Sequence, residues 1–158
     1  MVISVRTFIP QDKEFILSLV SRFSDFELPE WRTTDEIDNT NRLALMKAME
    51  QLEPDAAIFV AEDNAAGPVG FIHLQTRIDY FSGEKQGYIS DVAVDGSHEG
   101  RGVGRMLLET AENWSYEQGY ALLTLFVFAG NTHAQQIYEK MGFGQDIIRY
   151  AKVIDRKA

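Results

Sequence analysis

The chain has 158 residues, 45% of them hydrophobic and 25% charged, a balance that excludes disorder and predicts one packed domain over 1–158. Its formal charge of −9, from 24 acidic against 15 basic side chains, repels phosphate backbones and anionic bilayers, so neither nucleic acid nor a membrane is an expected partner. Cysteine is absent, which removes disulfides and thiolate chemistry; the histidines His73, His98 and His133 show no metal-ligand spacing, so no metal is expected. Without a secretory pattern at the start or an apolar run near the ~20 residues of a membrane span, the expected address is cytoplasmic.

Val2 to Phe8 alternates and is rich in β-branched residues, which predicts a first strand. Phe15, Ile16, Leu19, Val20 and Phe23 recur at helical spacing, and Leu43, Leu45, Met46 and Met49 predict a second helix starting at the Thr33 to Glu36 capping pattern. Ser24 to Arg32 between them reads as a loop. Ala56 to Glu62 and Val69 to Asp79 read as a hairpin across Asp63 to Pro68, and Gln86 to Val94 follows as a third antiparallel strand. A helix over Gly102 to Gln118 ends at Gly119. The apolar run Ala121 to Phe128 predicts a strand buried on both faces; Asn131 to Met141 predicts a helix and Asp146 to Ile154 a closing strand. The order is that of an α+β fold with a mixed sheet.

The informative stretch is Asp91 to Leu108, where a strand passes through Gly100, Gly102 and Gly104 directly into a helix. Glycines let backbone N–H groups converge on an anion, and the helix start adds free donors and the positive dipole end, so the loop suits a phosphate. Gly104-Arg105-Met106 lacks the Lys-Ser or Lys-Thr of a Walker loop, and the glycine spacing and Phe126-Val127-Phe128 do not match a dinucleotide loop.

Glu99-Gly100-Arg101-Gly102-Val103-Gly104 resembles the signature of the GNAT family of N-acetyltransferases, which is Gln or Arg, two residues, Gly, one residue, then Gly or Ala. Asn131 to Phe143, with Asn131, Ala134, Tyr138 and Gly142-Phe143, resembles the family's later motif. Glu99 departs from the usual Gln or Arg; its side chain is expected to turn outward, with Arg101 and Arg105 offsetting it. The resemblance implies a mainly antiparallel mixed sheet with helices on both faces, acetyl-CoA as co-substrate, and an amine-bearing acceptor on a small molecule or peptide. It implies direct attack in a ternary complex and, because family members are often dimers, a homodimer among the expected assemblies. A noncatalytic acetyl-CoA-binding domain is the alternative.

Carried over position by position, the resemblance assigns the acetyl-CoA contacts to Val92, Ala93, Val94, Glu99, Gly100, Arg101, Gly102, Val103, Gly104, Arg105, Asn131, Ala134 and Tyr138. The Val94 N–H is the first candidate to polarise the thioester carbonyl. Tyr138 would protonate the leaving thiolate, uphill by only ~2 kcal/mol from a tyrosine near ~10 to a thiol near ~8.5. Its plainer role is a core aromatic, as that of Asn131 is a helix N-cap. The strand positions where the family often carries a base hold Tyr88 and Ser90, neither of them basic. Asp91 is the remaining carboxylate, on the opposite face unless a bulge turns it, with a water relay as the alternative. His73 is expected to be structural. The acidic residues Asp25, Glu27, Glu30, Asp35, Glu36 and Asp38 around Trp31 suggest a cationic acceptor, against a merely solvated acidic surface.

Overall fold

Alternation at the start of the chain sets β1 (Ile3–Thr7) in the computed structural model, which describes residues 1–155. Arg6 leaves this strand to chelate Asp12 at 2.8 and 2.9 Å and to reach Glu62 at 3.1 Å, while the Ile9 N–H donates to Asp12. That cluster fixes the entry to α1 (Lys13–Ser18). The first predicted helix is interrupted: α1 is flanked by single 3₁₀ turns over Pro10–Asp12 and Val20–Ser24. The second begins where its cap predicts. Thr33 accepts from the Glu36 N–H and donates its own N–H to Glu36 Oε1, closing the capping box of α2 (Thr34–Glu50).

The strands β2 (Ala57–Asp63), β3 (Gly67–Ile78) and β4 (Lys85–Val94) form an antiparallel meander beside β1, and β5 (Leu123–Leu125) joins β4 in parallel, giving the order β1-β2-β3-β4-β5. Between β4 and β5 runs α3 (Val103–Glu117), and α4 (Thr132–Lys140) follows β5. Two cores result. On one face Val103, Leu107, Ala111 and Trp114 of α3 cover Ile72, Leu74 and Ile89. On the other, Ile16, Leu19, Val20 and Leu45 cover Ile58, Val60, Phe71 and Ala93. The mixed, mainly antiparallel sheet with helices on both faces is the predicted fold.

Two predicted strands need correction. The run Ala121 to Phe128 contributes only Leu123–Leu125 to the sheet and is not buried on both faces, because Phe126 stands 79% exposed. Its chain turns away where β4 stops offering a straight edge. Asp146 to Ile154 forms no strand: Ile147, Ile148, Tyr150, Val153 and Ile154 are exposed and the segment joins no ladder. Alternation makes a strand only where a partner edge and a covering layer are both within reach, and β5 presents only three residues of edge.

Candidate active site

The cleft begins with a surplus residue. β3 and β4 pair His73 with Asp91 and Leu74 with Ile89, leaving Ser90 unmatched as a bulge. A bulge shifts side-chain parity. Ile89 therefore faces α3, whereas Tyr88 and Asp91 both face the side of α1 and α2, opposite Gln75 and His73. The pairing of β4 with β5 ends at Ile89 and Leu125. Beyond it the strands diverge, and Ile89–Val94 on one side and Leu125–Phe128 on the other line a cavity of about 810 Å³.

The backbone in this gap is aimed. Asp95 N–H donates to Val69 O at 2.8 Å, continuing the register in which Gly70 faces Val94. Bonded and non-bonded pairs alternate along an antiparallel ladder, so the N–H groups of Val92 and Val94 point away from β3, into the opening. Asp91 reaches the same cavity with its side chain 10% exposed, and its Oδ2 lies 3.0 Å from Nδ1 of His73, itself 4% exposed. Burial pushes the Tyr88 hydroxyl above its ordinary range, with Arg77 opposing the rise and Asp91 adding to it.

The glycine loop forms the second wall. Gly100 and Gly102 take φ of +73° and +82°, a left-handed backbone that favours glycine, and a Cβ at either would meet nothing within 4 Å. Met106 N–H donates to Gly102 O at 3.1 Å, the first bond of α3. The N–H groups of Val103, Gly104 and Arg105 are thus without partners in the helix, and all three residues line the cavity. The loop is anchored by buried His98, whose Nε2 lies 3.1 Å from Asp63 Oδ2 and whose Nδ1 lies 2.9 Å from Ser97 Oγ. These features fit a diphosphate on observation of the loop alone.

Helix α4 supplies the third wall. Asn131 accepts from the Ala134 N–H at 3.3 Å as the N-cap, and both residues border the cavity, as does Tyr138. Burial pushes the Tyr138 hydroxyl above the ordinary tyrosine range, and the ring packs edge-on against Phe143 at 5.8 Å. The roof comes from the loop before α2. Phe26 packs on Phe128 at 5.6 Å, and a Cβ at Gly130 would collide with the Glu27 carbonyl, so only glycine lets this loop close down. Arg22, Phe23, Asp25 and Phe26 line the cavity from this side.

The model of the acetyltransferase (GNAT) family matches residues 17–143. The chain belongs to the GNAT family. It is 33% identical over 115 residues to a mycothiol acetyltransferase of Propionibacterium freudenreichii subsp. shermanii, covering 73% of this chain and 35% of that protein. It is 29% identical to the peptidyl-lysine N-acetyltransferase YjaB of Salmonella typhimurium, covering 90% of this chain and 84% of that one. The GNAT fold is shared with AAC(6')-Iy, solved in complex with the bisubstrate analog CoA-S-monomethyl-acetylneamine, at TM-score 0.67 and 19% identity over 98% of this chain and all of the other. The chain spans between a third and a half of the mycothiol acetyltransferases it matches.

The GNAT motif residues named from the sequence gather on one cavity with one exception. Val92, Ala93, Val94, Glu99, Gly100, Gly102, Val103, Gly104, Arg105, Asn131, Ala134, Tyr138 and Asp91 line it, whereas Arg101 turns away, its Nη1 lying 3.7 Å from Met1 Sδ. The expected offset of Glu99 by Arg101 and Arg105 is also corrected. Arg105 pairs with Glu109 at 3.1 Å, and Glu99 pairs with Arg22. Of the acidic cluster, only Asp25 reaches the cavity: Glu36 caps α2 and Asp38 holds Ser24 at 2.7 Å. Trp31 instead borders a separate cleft of about 290 Å³ with Ala151, Lys152 and Val153. Nothing local in the sequence marks Arg22 as a cavity residue. His73 is the buried, satisfied strand histidine expected from the sequence, and the bulge brings it beside Asp91. Among the described residues, no group of three or more metal-ligating side chains is assembled, and no helix is long and apolar enough to cross a membrane.

Proposed function

We propose that residues 1–158 act as one domain that transfers the acetyl group of acetyl-CoA to a primary amine by direct attack within a ternary complex. The observation that carries this reading is that one cavity is lined by the glycine loop and the start of α3, by Val94 with its outward N–H, and by Tyr138 and Asp91. The acetyltransferases to which the chain is similar support it, among them AAC(6')-Iy with its bound bisubstrate analog CoA-S-monomethyl-acetylneamine.

The chemistry assigns one task to each group. The loop and the start of α3 receive the diphosphate of acetyl-CoA. The amine, freed of its extra proton by Asp91, attacks the thioester carbonyl carbon; a C–N bond forms and the carbonyl oxygen gains charge that the Val94 N–H stabilises. As the C–S bond breaks, Tyr138 gives its proton to the sulfur, and the proton that the newly bonded nitrogen carries in excess passes to the tyrosinate as the amide forms. Tyr138 holds its proton at neutral pH, and burial, which raises the hydroxyl, makes its donation to the sulfur steeper than from an exposed tyrosine. Asn131 and Ala134 border the pantetheine arm. His73 positions Asp91 through their hydrogen bond.

A cationic acceptor fits the wall, in which Asp25 and Asp91 are interleaved with Phe23, Phe26 and Phe128; carboxylates attract the cation and the rings cover its stem. A cytoplasmic address suits a cysteine-free chain that draws on acetyl-CoA. A homodimer is supported by the open edge of β5 and the exposed apolar side chains of 147–154, since an unpaired edge invites another strand.

Release of free CoA with polyamines, aminoglycosides, amino sugars and lysine peptides tests the reading. Turnover that depends on one class of cationic amine supports it. Tight acetyl-CoA binding with no acceptor-dependent release from any amine would favour the noncatalytic alternative.

A further inference from the structure

The residue that departs from the family signature, Glu99, stands at the mouth of an anion site. A carboxylate there opposes a diphosphate, and its partner is not a neighbour in the loop. Arg22, from the 3₁₀ turn Val20–Ser24 on the acceptor side, places Nη2 on Glu99 Oε1. Its Nη1 lies 3.3 Å from where a Cβ of Gly96 would be, so the guanidinium packs directly on the backbone that enters the glycine loop. Its field also helps hold the Asp95 carboxyl below the ordinary range, behind the larger hydrogen bonds from Ser97 and His98. Arg22 and Glu99 both line the cavity. The other arginine in the wall, Arg105, is mostly exposed and engaged with Glu109.

We propose that Arg22 is the cation that receives the diphosphate of acetyl-CoA, held over the glycine loop by Glu99, and that it ties co-substrate binding to the acceptor wall. The inference rests on the reading of the loop as an acetyl-CoA site. Where the family carries Gln or Arg within the loop, this chain carries an acid that recruits an arginine from the opposite wall. A guanidinium is suited to this because its planar fork can face a carboxylate and a phosphate together. Phe23, Asp25 and Phe26 follow Arg22 directly and line the acceptor side of the cavity. One short segment thus carries both the cation and part of the acceptor wall.

The test compares a ligand that has the diphosphate with one that lacks it. Arg22→Gln weakens acetyl-CoA binding in calorimetry by about ten- to a hundredfold, while kcat/KM for S-acetylpantetheine, which has no diphosphate, falls by a much smaller factor. Arg22→Lys keeps the charge and loses less. In the variant carrying both Arg22→Gln and Glu99→Gln, affinity stays below wild type, because the diphosphate still lacks its cation. Full recovery in that double variant would mean that Arg22 only neutralises Glu99, and would overturn the proposal. So would an Arg22→Gln protein that binds acetyl-CoA normally or loses both ligands equally. Wild-type protein that bound no acetyl-CoA would overturn the reading of the loop itself, and the proposal with it.

Discussion

Nδ1 of His73 lies 3.0 Å from Oδ2 of Asp91, its direct partner in the β3–β4 ladder just before the register shift at Leu74. The bulge at Ser90 turns Asp91 toward the cavity, and His73 fixes the carboxylate from behind. Asp91→Asn is expected to lower kcat by roughly 10². His73→Gln lowers kcat by a smaller factor and leaves acetyl-CoA affinity unchanged. Because His73 acts through Asp91, the double variant is no slower than Asp91→Asn alone. Additive losses in kcat would make His73 an independent structural residue.

Tyr138→Phe removes the proton for the departing thiolate and is expected to lower kcat by roughly 10² with little change in acetyl-CoA affinity. The pH dependence has a definite sign. Burial raises the hydroxyl above its ordinary value, so the protonated form persists across neutral pH and activity falls only as pH rises beyond ~10. An alkaline limb well below that value, unchanged in Tyr138→Phe, would belong to another group.

Gly104 offers a cleaner probe of the loop than Gly102. Gly102 takes φ of +82°, so any side chain there adds strain to the chemistry under test. A Cβ at Gly104 meets only Val94 Cγ2, at an ordinary 3.8 Å. Gly104→Asp should fold normally and put a carboxylate where the diphosphate is received. Calorimetry should find acetyl-CoA binding weakened by about a hundredfold or more; near-normal affinity would remove the loop from the site.

The Arg6–Asp12 pair predicts how the fold responds to acid. Burial alone would raise the Asp12 carboxyl, but the Arg6 guanidinium and the Ile9 N–H outweigh it and hold the carboxyl below its ordinary range. A depressed carboxyl contributes stability above its unfolded value near ~3.9, and loses it as pH falls through the lower folded value. Asp12→Asn should cost about 1–3 kcal/mol at neutral pH in denaturant titration. The gap to wild type should close as the pH drops below ~3.9. A gap that persisted there would mean packing, not charge, sets the loss.

Much of this fold is legible in local pattern. The capping box at Thr33 and Glu36, the alternation through β1 to β4 and the amphipathic α3 each express a rule acting over a few residues. The glycine loop and the Asn131 to Phe143 segment are legible for the same reason, since strand, turn and helix start are adjacent in the chain. What stays hidden depends on distant partners. Arg22 meets Glu99, and His73 meets Asp91, only after the helices close on the sheet and the bulge at Ser90 is counted. The alternating residues 146–154 read as a strand but find no ladder, because hydrophobic period says nothing about whether an edge is within reach. Trp31, Glu27 and Glu30 share a loop with Asp25, yet of these only Asp25 lines the cavity.

The central claim is direct transfer from acetyl-CoA to an amine, and following a labelled acetyl group tests it most directly. With label in the acetyl of acetyl-CoA and a responsive amine present, mass spectrometry should find the label on the amine nitrogen. Intact-protein mass, measured with acetyl-CoA but no acceptor, should stay unchanged. An acetylated protein intermediate competent to pass its label on, or label released only as acetate whatever amine is present, would contradict the account.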